Sequence, residues 1–143
     1  MPYTHRLAVR FRDCDPMGHV NNAVYLTYFE VGREGYFDAL GLDAEEGRSL
    51  AEQFPFVVAE ASCRFLAPAR IDAELQVHVR TTRVGGKSFT IEYLVTDRNS
   101  SRALACGETV QVYYDYEAGR PAPVSEDLRA RLERLEGRPL SAG

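Results

Sequence analysis

At 143 residues, with 45% hydrophobic and 27% charged residues, the chain has the composition of a globular protein and the length of one domain, spanning 1–143. A formal charge of -4 and an isoelectric point near 5.4 argue against a nucleic-acid partner held on a basic surface. No stretch approaches the roughly 18 apolar residues of a membrane span, and the segment MPYTHRLAVR lacks the apolar core of a signal peptide, so a cytoplasmic location is expected.

Cys14, Cys63 and Cys106 are odd in number, widely spaced and form no CxxC pair, so neither a disulfide scaffold nor a metal site is expected. Tyr3 to Arg12 places Leu7, Val9 and Phe11 on one side and Arg6, Ala8, Arg10 and Arg12 on the other, which predicts a strand with one wet face. A polar turn follows, carrying Asp15, Gly18, His19, Asn21 and Asn22, and runs into a helix predicted from about Asn22 to Leu40. Asn21 and Asn22 are good capping residues, and Gly41 stands where a stop is expected. Tyr25, Tyr28, Phe29, Gly32, Tyr36, Phe37 and Leu40 recur at the helical period, while Ala23, Val24, Leu26, Thr27 and Val31 spread apolar atoms around the first half. A helix apolar nearly all round is buried, usually by a sheet that wraps it. Glu30, Arg33, Glu34 and Asp38 leave one polar strip.

Residues 42–54 read as a surface connection with a turn of helix around 44–52. Phe56 to Leu66 alternates, with Val57, Ala59, Ala61, Cys63 and Phe65 sharing a face. Ala73 to Val84 alternates more cleanly, with Leu75, Val77 and Val79 inward. Gly85 and Gly86 are expected to close a two-residue hairpin at positive φ, from which Lys87 to Asp97 returns with Phe89, Ile91, Tyr93 and Val95 inward. After an Asn- and Ser-rich turn at 98–102, Ala103 to Asp115 places Leu104, Cys106, Val110, Val112 and Tyr114 on one face, with Gly107 as a candidate bulge. Ser125, acidic Glu126 and Asp127, and basic Arg129, Arg131 and Arg134 predict a C-terminal helical tail at about 125–136. One strand, a long buried helix and about four antiparallel strands make an α+β fold class.

The chemistry concentrates at the turn before the helix. A carboxylate there sits beside unpaired backbone amides and the positive end of the helix dipole, and those amides can bind an oxygen that becomes negative during acyl transfer. Asp15 with the first helical turn thus offers a nucleophile or general base together with an oxyanion hole. Asp15 as a mere turn cap is the bland alternative. Gly18 lets a substrate carbonyl approach the backbone. His19 either orients Asp15 or a water, or only fixes the turn, and Cys14 lacks a base and reads as packing.

The block Asp13-Cys14-Asp15-Pro16-Met17-Gly18-His19-Val20-Asn21-Asn22, followed by Tyr25, Tyr28 and Phe29, resembles the signature of hotdog-fold acyl-CoA thioesterases of the 4-hydroxybenzoyl-CoA thioesterase type. The resemblance covers roughly residues 3–115. It implies a curved antiparallel sheet of about five strands wrapped around one long central helix. It also implies hydrolysis of acyl-CoA to free acid and CoA, with coenzyme A present only as part of the substrate and no other cofactor or metal. Asp15 would be the catalytic carboxylate, and the backbone amide near Asn22 would polarise the thioester oxygen. Lys87, Ser88 and the weaker candidate Arg83 would meet the phosphates or pantetheine of coenzyme A, the alternative being that Lys87 and Ser88 are only hairpin residues. From the residues themselves, Gly18 is a candidate for substrate contact, and Tyr25 reads either as core, with Tyr28, Phe29, Tyr36 and Phe37, or as lining an acyl pocket. The family's active sites lie at subunit interfaces, which implies a homodimer or homotetramer. Acyl-carrier-protein thioesters remain an alternative substrate, and a non-catalytic acyl- or CoA-binding protein is the rival from another class. Glu30 and Glu34 read as a solvated or interface pair, and His5 and His78 as surface residues.

Overall fold

The computed structural model describes residues 2–41 and 56–140, so the helical turn expected at 44–52 lies outside the described residues. The chain runs β1 (Tyr3–Ala8), a 3-10 turn (Phe11–Asp13), α1 (Val24–Ala39), β2 (Phe56–Phe65), β3 (Glu74–Val84), β4 (Ser88–Asp97), β5 (Ala103–Asp115), β6 (Arg120–Pro121) and α2 (Glu126–Glu136). The main strands form one antiparallel sheet in the order β1-β3-β4-β5-β2, with β6 paired to the end of β5. The sheet wraps one central helix, the hotdog arrangement.

Helix α1 lies chiefly against β1 and β3 and touches β2 less. Gly32 makes that seat possible, because an added Cβ would lie 2.8 Å from Val77 Cγ1. Under the helix, Leu75, Val77, Val79, Phe89, Ile91, Tyr93 and Val95 are fully buried, in the phase the alternation predicts. Phe29 stacks on Tyr93 at 4.5 Å between ring centroids and 10° between planes.

Five details differ from expectation. The first strand stops at Ala8 because the Asp13 carboxylate draws back the Arg10 amide at 3.0 Å and closes the 3-10 turn. Helix α1 starts at Val24, and its capping oxygen is Asn21 Oδ1, which accepts from the Ala23 amide at 3.1 Å; Asn22 caps nothing with its side chain. The first half of α1 is open on one side, with Leu26 45% exposed. Gly85 and Gly86 do not take positive φ, since the connection is three residues long and the Gly85 amide bonds the Ser88 carbonyl at 2.7 Å. His78 is half-buried rather than free on the surface, its ring nitrogens each 3.0 Å from the hydroxyls of Thr4 and Thr96.

Strand β5 departs furthest. Its helix-facing residues are Ala105, Gly107, Thr109 and Gln111, and the apolar set Cys106, Val110 and Val112 faces the other way, as does exposed Glu108. The polar residues are tolerated under the helix because they satisfy one another. The Tyr93 hydroxyl lies 2.6 Å from Thr109 Oγ1, Thr109 also bonds Gln111 Oε1, and Gln111 Nε2 donates to the Phe89 carbonyl at 3.0 Å. Gly107 marks no bulge; its pairing with Cys63 is regular, and a Cβ there would lie 2.1 Å from the Ser62 carbonyl oxygen and 2.9 Å from the Phe29 ring. The bulge in β2 falls instead between Val58 and Glu60 and reverses its phase, so that Phe56 and, beyond the break, Ala61, Cys63 and Phe65 share the helix side.

The tail is part of the core. Ser125 Oγ accepts from the Leu128 amide at 3.1 Å, Gly137 ends α2 at φ 73°, and Leu128, Leu132 and Leu140 are buried. Glu136 reaches the Tyr36 hydroxyl and accepts the Thr81 amide at 2.9 Å, tying α2 to both α1 and β3.

Candidate active site

The turn before α1 is held on three sides. The Asp15 amide donates to the His19 carbonyl at 2.8 Å, the Asn21 amide donates to the Asp13 carbonyl at 2.8 Å, and the Val20 amide donates to the Ala69 carbonyl at 2.8 Å. Gly18 closes the turn at φ 80°; an added Cβ would meet nothing within 4 Å, so the left-handed backbone and not lack of space demands glycine here. Asp15 Oδ1 accepts the Met17 amide at 2.9 Å and the His19 amide at 3.3 Å, which leaves Oδ2 without a partner among the described residues.

Asp13, two residues earlier, plays a different part. It is buried and accepts from the Arg10 guanidinium at 3.1 Å and from the Tyr28 hydroxyl at 2.9 Å. Burial works to raise its carboxyl, and the bonds from Arg10 and Tyr28 outweigh that and hold it below the usual carboxylate range. Burial together with Asp13 pushes the Tyr28 hydroxyl well up. Sequence reasoning missed this anchor, although the paired aspartates of the block were the signal for it.

A cleft of about 310 Å³ is lined by Asp15, His19, Asn22 and Tyr25 on the turn and helix side, and by Phe65 to Pro68 opposite. At the start of α1 the Ala23 amide is taken by Asn21 Oδ1, the Val24 amide by the Asn21 carbonyl and the Tyr25 amide by the Asn22 carbonyl. The Asn22 amide is left without a partner among the described residues, on the rim of the cleft that also holds Asp15. Asp15 and Asn22 therefore border one cleft, with Val20, Tyr25, Phe65, Leu66, Ala67 and Pro68 as its apolar lining. Glu30 and Glu34 do not line it. Cys14 Sγ lies 3.7 Å from the Arg10 carbonyl, and burial and the neighbouring aspartates push its thiol up, away from the reactive thiolate.

Arg83, Lys87 and Ser88 are elsewhere. Ser88 pairs with Val112 beside the Phe56 end of β2, whereas the Asp15 cleft adjoins the Phe65 end. Ten residues of strand separate them, roughly 30 Å at about 3.3 Å each. Within one chain the structure brings Asp15, His19, Asn22 and Tyr25 to one cleft, keeps Gly18 in the adjoining turn but outside the cleft lining, and leaves those three apart. Among the described residues no group of three or more His, Cys, Asp or Glu side chains could hold a metal ion, and no helix is long and apolar enough to cross a membrane.

A family model described as the thioesterase-like superfamily matches residues 9–132. A thioesterase from Thermus thermophilus, solved with coenzyme A and Zn, is 42% identical, with a TM-score of 0.83 and 97% of each chain covered. The chloroplastic acyl-acyl carrier protein thioesterase ATL2 of Arabidopsis thaliana is 34% identical over 132 residues, covering 88% of this chain and 66% of that protein, so the chain spans about two thirds of that relative. The long-chain acyl-CoA thioesterase FadM of Escherichia coli is 25% identical, covering 91% and 96%.

Proposed function

The chain belongs to the thioesterase-like superfamily and is a thioester hydrolase, and from that premise we propose that Asp15 and the Asn22 amide hydrolyse acyl-coenzyme A between them. The observation that carries the assignment is their placement: Asp15 and Asn22 share one cleft, with Asp15 Oδ1 pinned by two amides and Oδ2 open. The thioester carbonyl accepts from the Asn22 amide. A water that gives its proton to Asp15 adds to the carbonyl carbon, the C–S bond breaks, and the proton passes to the departing thiolate. Attack by Asp15 itself would instead leave a mixed anhydride, which hydroxylamine would trap. His19 borders the same space and orients the attacking group.

Asp15→Asn keeps the shape and removes the charge, and is expected to lower kcat by roughly 10²–10⁴-fold with an unchanged melting temperature. Equal thiol release by mutant and wild type on the best acyl-CoA would end the assignment. The similarity to a plant carrier-protein enzyme favours a second reading, acyl-carrier-protein thioesters. Comparing kcat/KM on matched acyl-CoA and acyl-carrier substrates decides between the two.

The active assembly we infer is a homodimer, which can pair again into a tetramer. Strand β2 is a sheet edge, its two faces largely exposed, with Val57, Val58, Phe65 and Leu66 open to solvent. Antiparallel pairing of two β2 edges about a two-fold axis sets the Phe56 end of one beside the Phe65 end of the other. Arg83, Lys87 and Ser88 of the partner subunit would then approach this chain's Asp15 cleft and receive the phosphates of coenzyme A. The free thiols of Cys14, Cys63 and Cys106 suit a reducing compartment, and we place the enzyme in the cytoplasm.

A further inference from the structure

The Asp15 cleft has a fixed floor. Tyr25 is 2% exposed, and its ring stands edge-on to Tyr28 at 5.8 Å and to Phe65 at 5.6 Å between centroids. The backbone of Ala69, on the loop after β2, stands beside its hydroxyl. Tyr28 cannot retreat, because its own hydroxyl is committed to the buried Asp13 at 2.9 Å. Behind these rings Phe29 is sealed between Tyr93, stacked at 4.5 Å, and Gly107, where even a methyl group would overlap it. The Tyr93 hydroxyl is itself bonded to Thr109 at 2.6 Å and to Arg33 at 3.1 Å. Between α1 and the strands β4 and β5 these contacts leave no slack into which an acyl chain could run.

Volume then limits the substrate. A methylene group needs about the share of liquid volume that a water does, roughly 30 Å³, so the part of the cleft formed by one chain, about 310 Å³ and open on one side, holds about ten such groups. The thioester, the adjoining carbons of the pantetheine arm and the attacking water use about half of that space, leaving about five or six carbons for the acyl group. A longer chain would have to leave over Phe65 along the β2 edge, where a paired subunit would stand.

We propose that Tyr25 sets the depth of this pocket and restricts the enzyme to compact acyl groups, hexanoyl or smaller in the straight-chain series. This rests on the thioesterase reading of the Asp15 cleft. The test is kcat/KM for straight-chain acyl-CoAs from acetyl to palmitoyl, read by thiol release, for wild type and for Tyr25→Ala and Tyr25→Leu, with Asp15→Asn as the blank. Wild type is expected to peak at or before hexanoyl-CoA and to fall about tenfold or more by lauroyl-CoA. Both Tyr25 variants are expected to move the optimum to longer chains. Inhibition of wild type by non-hydrolysable S-alkyl-CoA thioethers supplies the same length profile should the variants fail to fold, with affinity expected to stop rising at hexyl. A wild-type kcat/KM that climbs through palmitoyl-CoA, thioether affinity that keeps rising beyond hexyl, or folded variants with an unchanged optimum would each overturn the inference while leaving the thioesterase reading intact. No hydrolysis of any acyl-CoA above the blank would overturn both.

Discussion

Tyr28→Phe removes one oxygen atom, and the structure gives the cost of its loss. The Tyr28 hydroxyl is buried and donates at 2.9 Å to a carboxylate that is itself buried. A hydrogen bond to a charged group of this kind is worth about 1.5–3 kcal/mol, and its removal leaves a buried charge with one donor fewer. An unfolding entropy of roughly 2.1 cal/mol/K per residue makes each kcal/mol worth about 3 °C in a chain of this length, so the melting temperature should fall by about 5–10 °C at pH 7. The pH dependence follows from Asp13. Its folded carboxyl lies below its ordinary value, so the stabilisation is complete above about pH 4, where the unfolded carboxyl also ionises, and disappears as pH falls through the lower folded value. The gap between variant and wild type, followed by circular dichroism melts, should therefore be widest near neutrality and narrow in acid as pH falls through the lowered folded value. An Asp13→Asn, Tyr28→Phe double-mutant cycle should give a coupling of about 1.5 kcal/mol or more. A melting shift under about 1 °C at pH 7, or a gap that widens on acidification, would refute the account of Asp13 as the charged anchor of the turn.

Gly107→Val must displace the Ser62 backbone or the Phe29 ring, so the urea midpoint should fall by the equivalent of about 1–3 kcal/mol or more. Tyr36, pushed well up by burial and by Glu136, stays protonated in the fold while an unfolded tyrosine ionises near pH 10. The unfolded chain binds fewer protons above that pH, so stability should decline steeply there, and Tyr36→Phe should flatten the decline in alkaline melts. Mixing inactive Asp15→Asn subunits with Lys87→Glu subunits should restore up to about a quarter of wild-type turnover if sites are shared across a two-fold axis, and none if each chain works alone.

The helix, the succession of strands along the chain and the inward faces of β3 and β4 were legible in the sequence because alternation and helical period there reflect one buried side. β5 was not, since its buried face carries Thr109 and Gln111, whose side chains are satisfied by Tyr93 and the Phe89 carbonyl and so escape the cost that polarity implies. β2 misled through a bulge with no glycine to announce it. At the site, the Asp15 turn was readable from residue chemistry at short range. The opposing wall, Phe65 to Pro68, comes from a strand some fifty residues later and could be seen only once the fold placed it there.

The bond between Tyr36 and Glu136 joins positions a hundred residues apart. On a ribosome adding about 5–20 residues per second, Tyr36 is made some 5–20 s before its acceptor. By the end of β5 the nascent chain has its central helix and most of its sheet but no latch to hold one on the other. Locking of α1 onto the sheet thus waits for α2, and a premature stop codon after β5 should yield a chain that chaperones and proteases treat as unfinished, although every residue of the Asp15 cleft is already present.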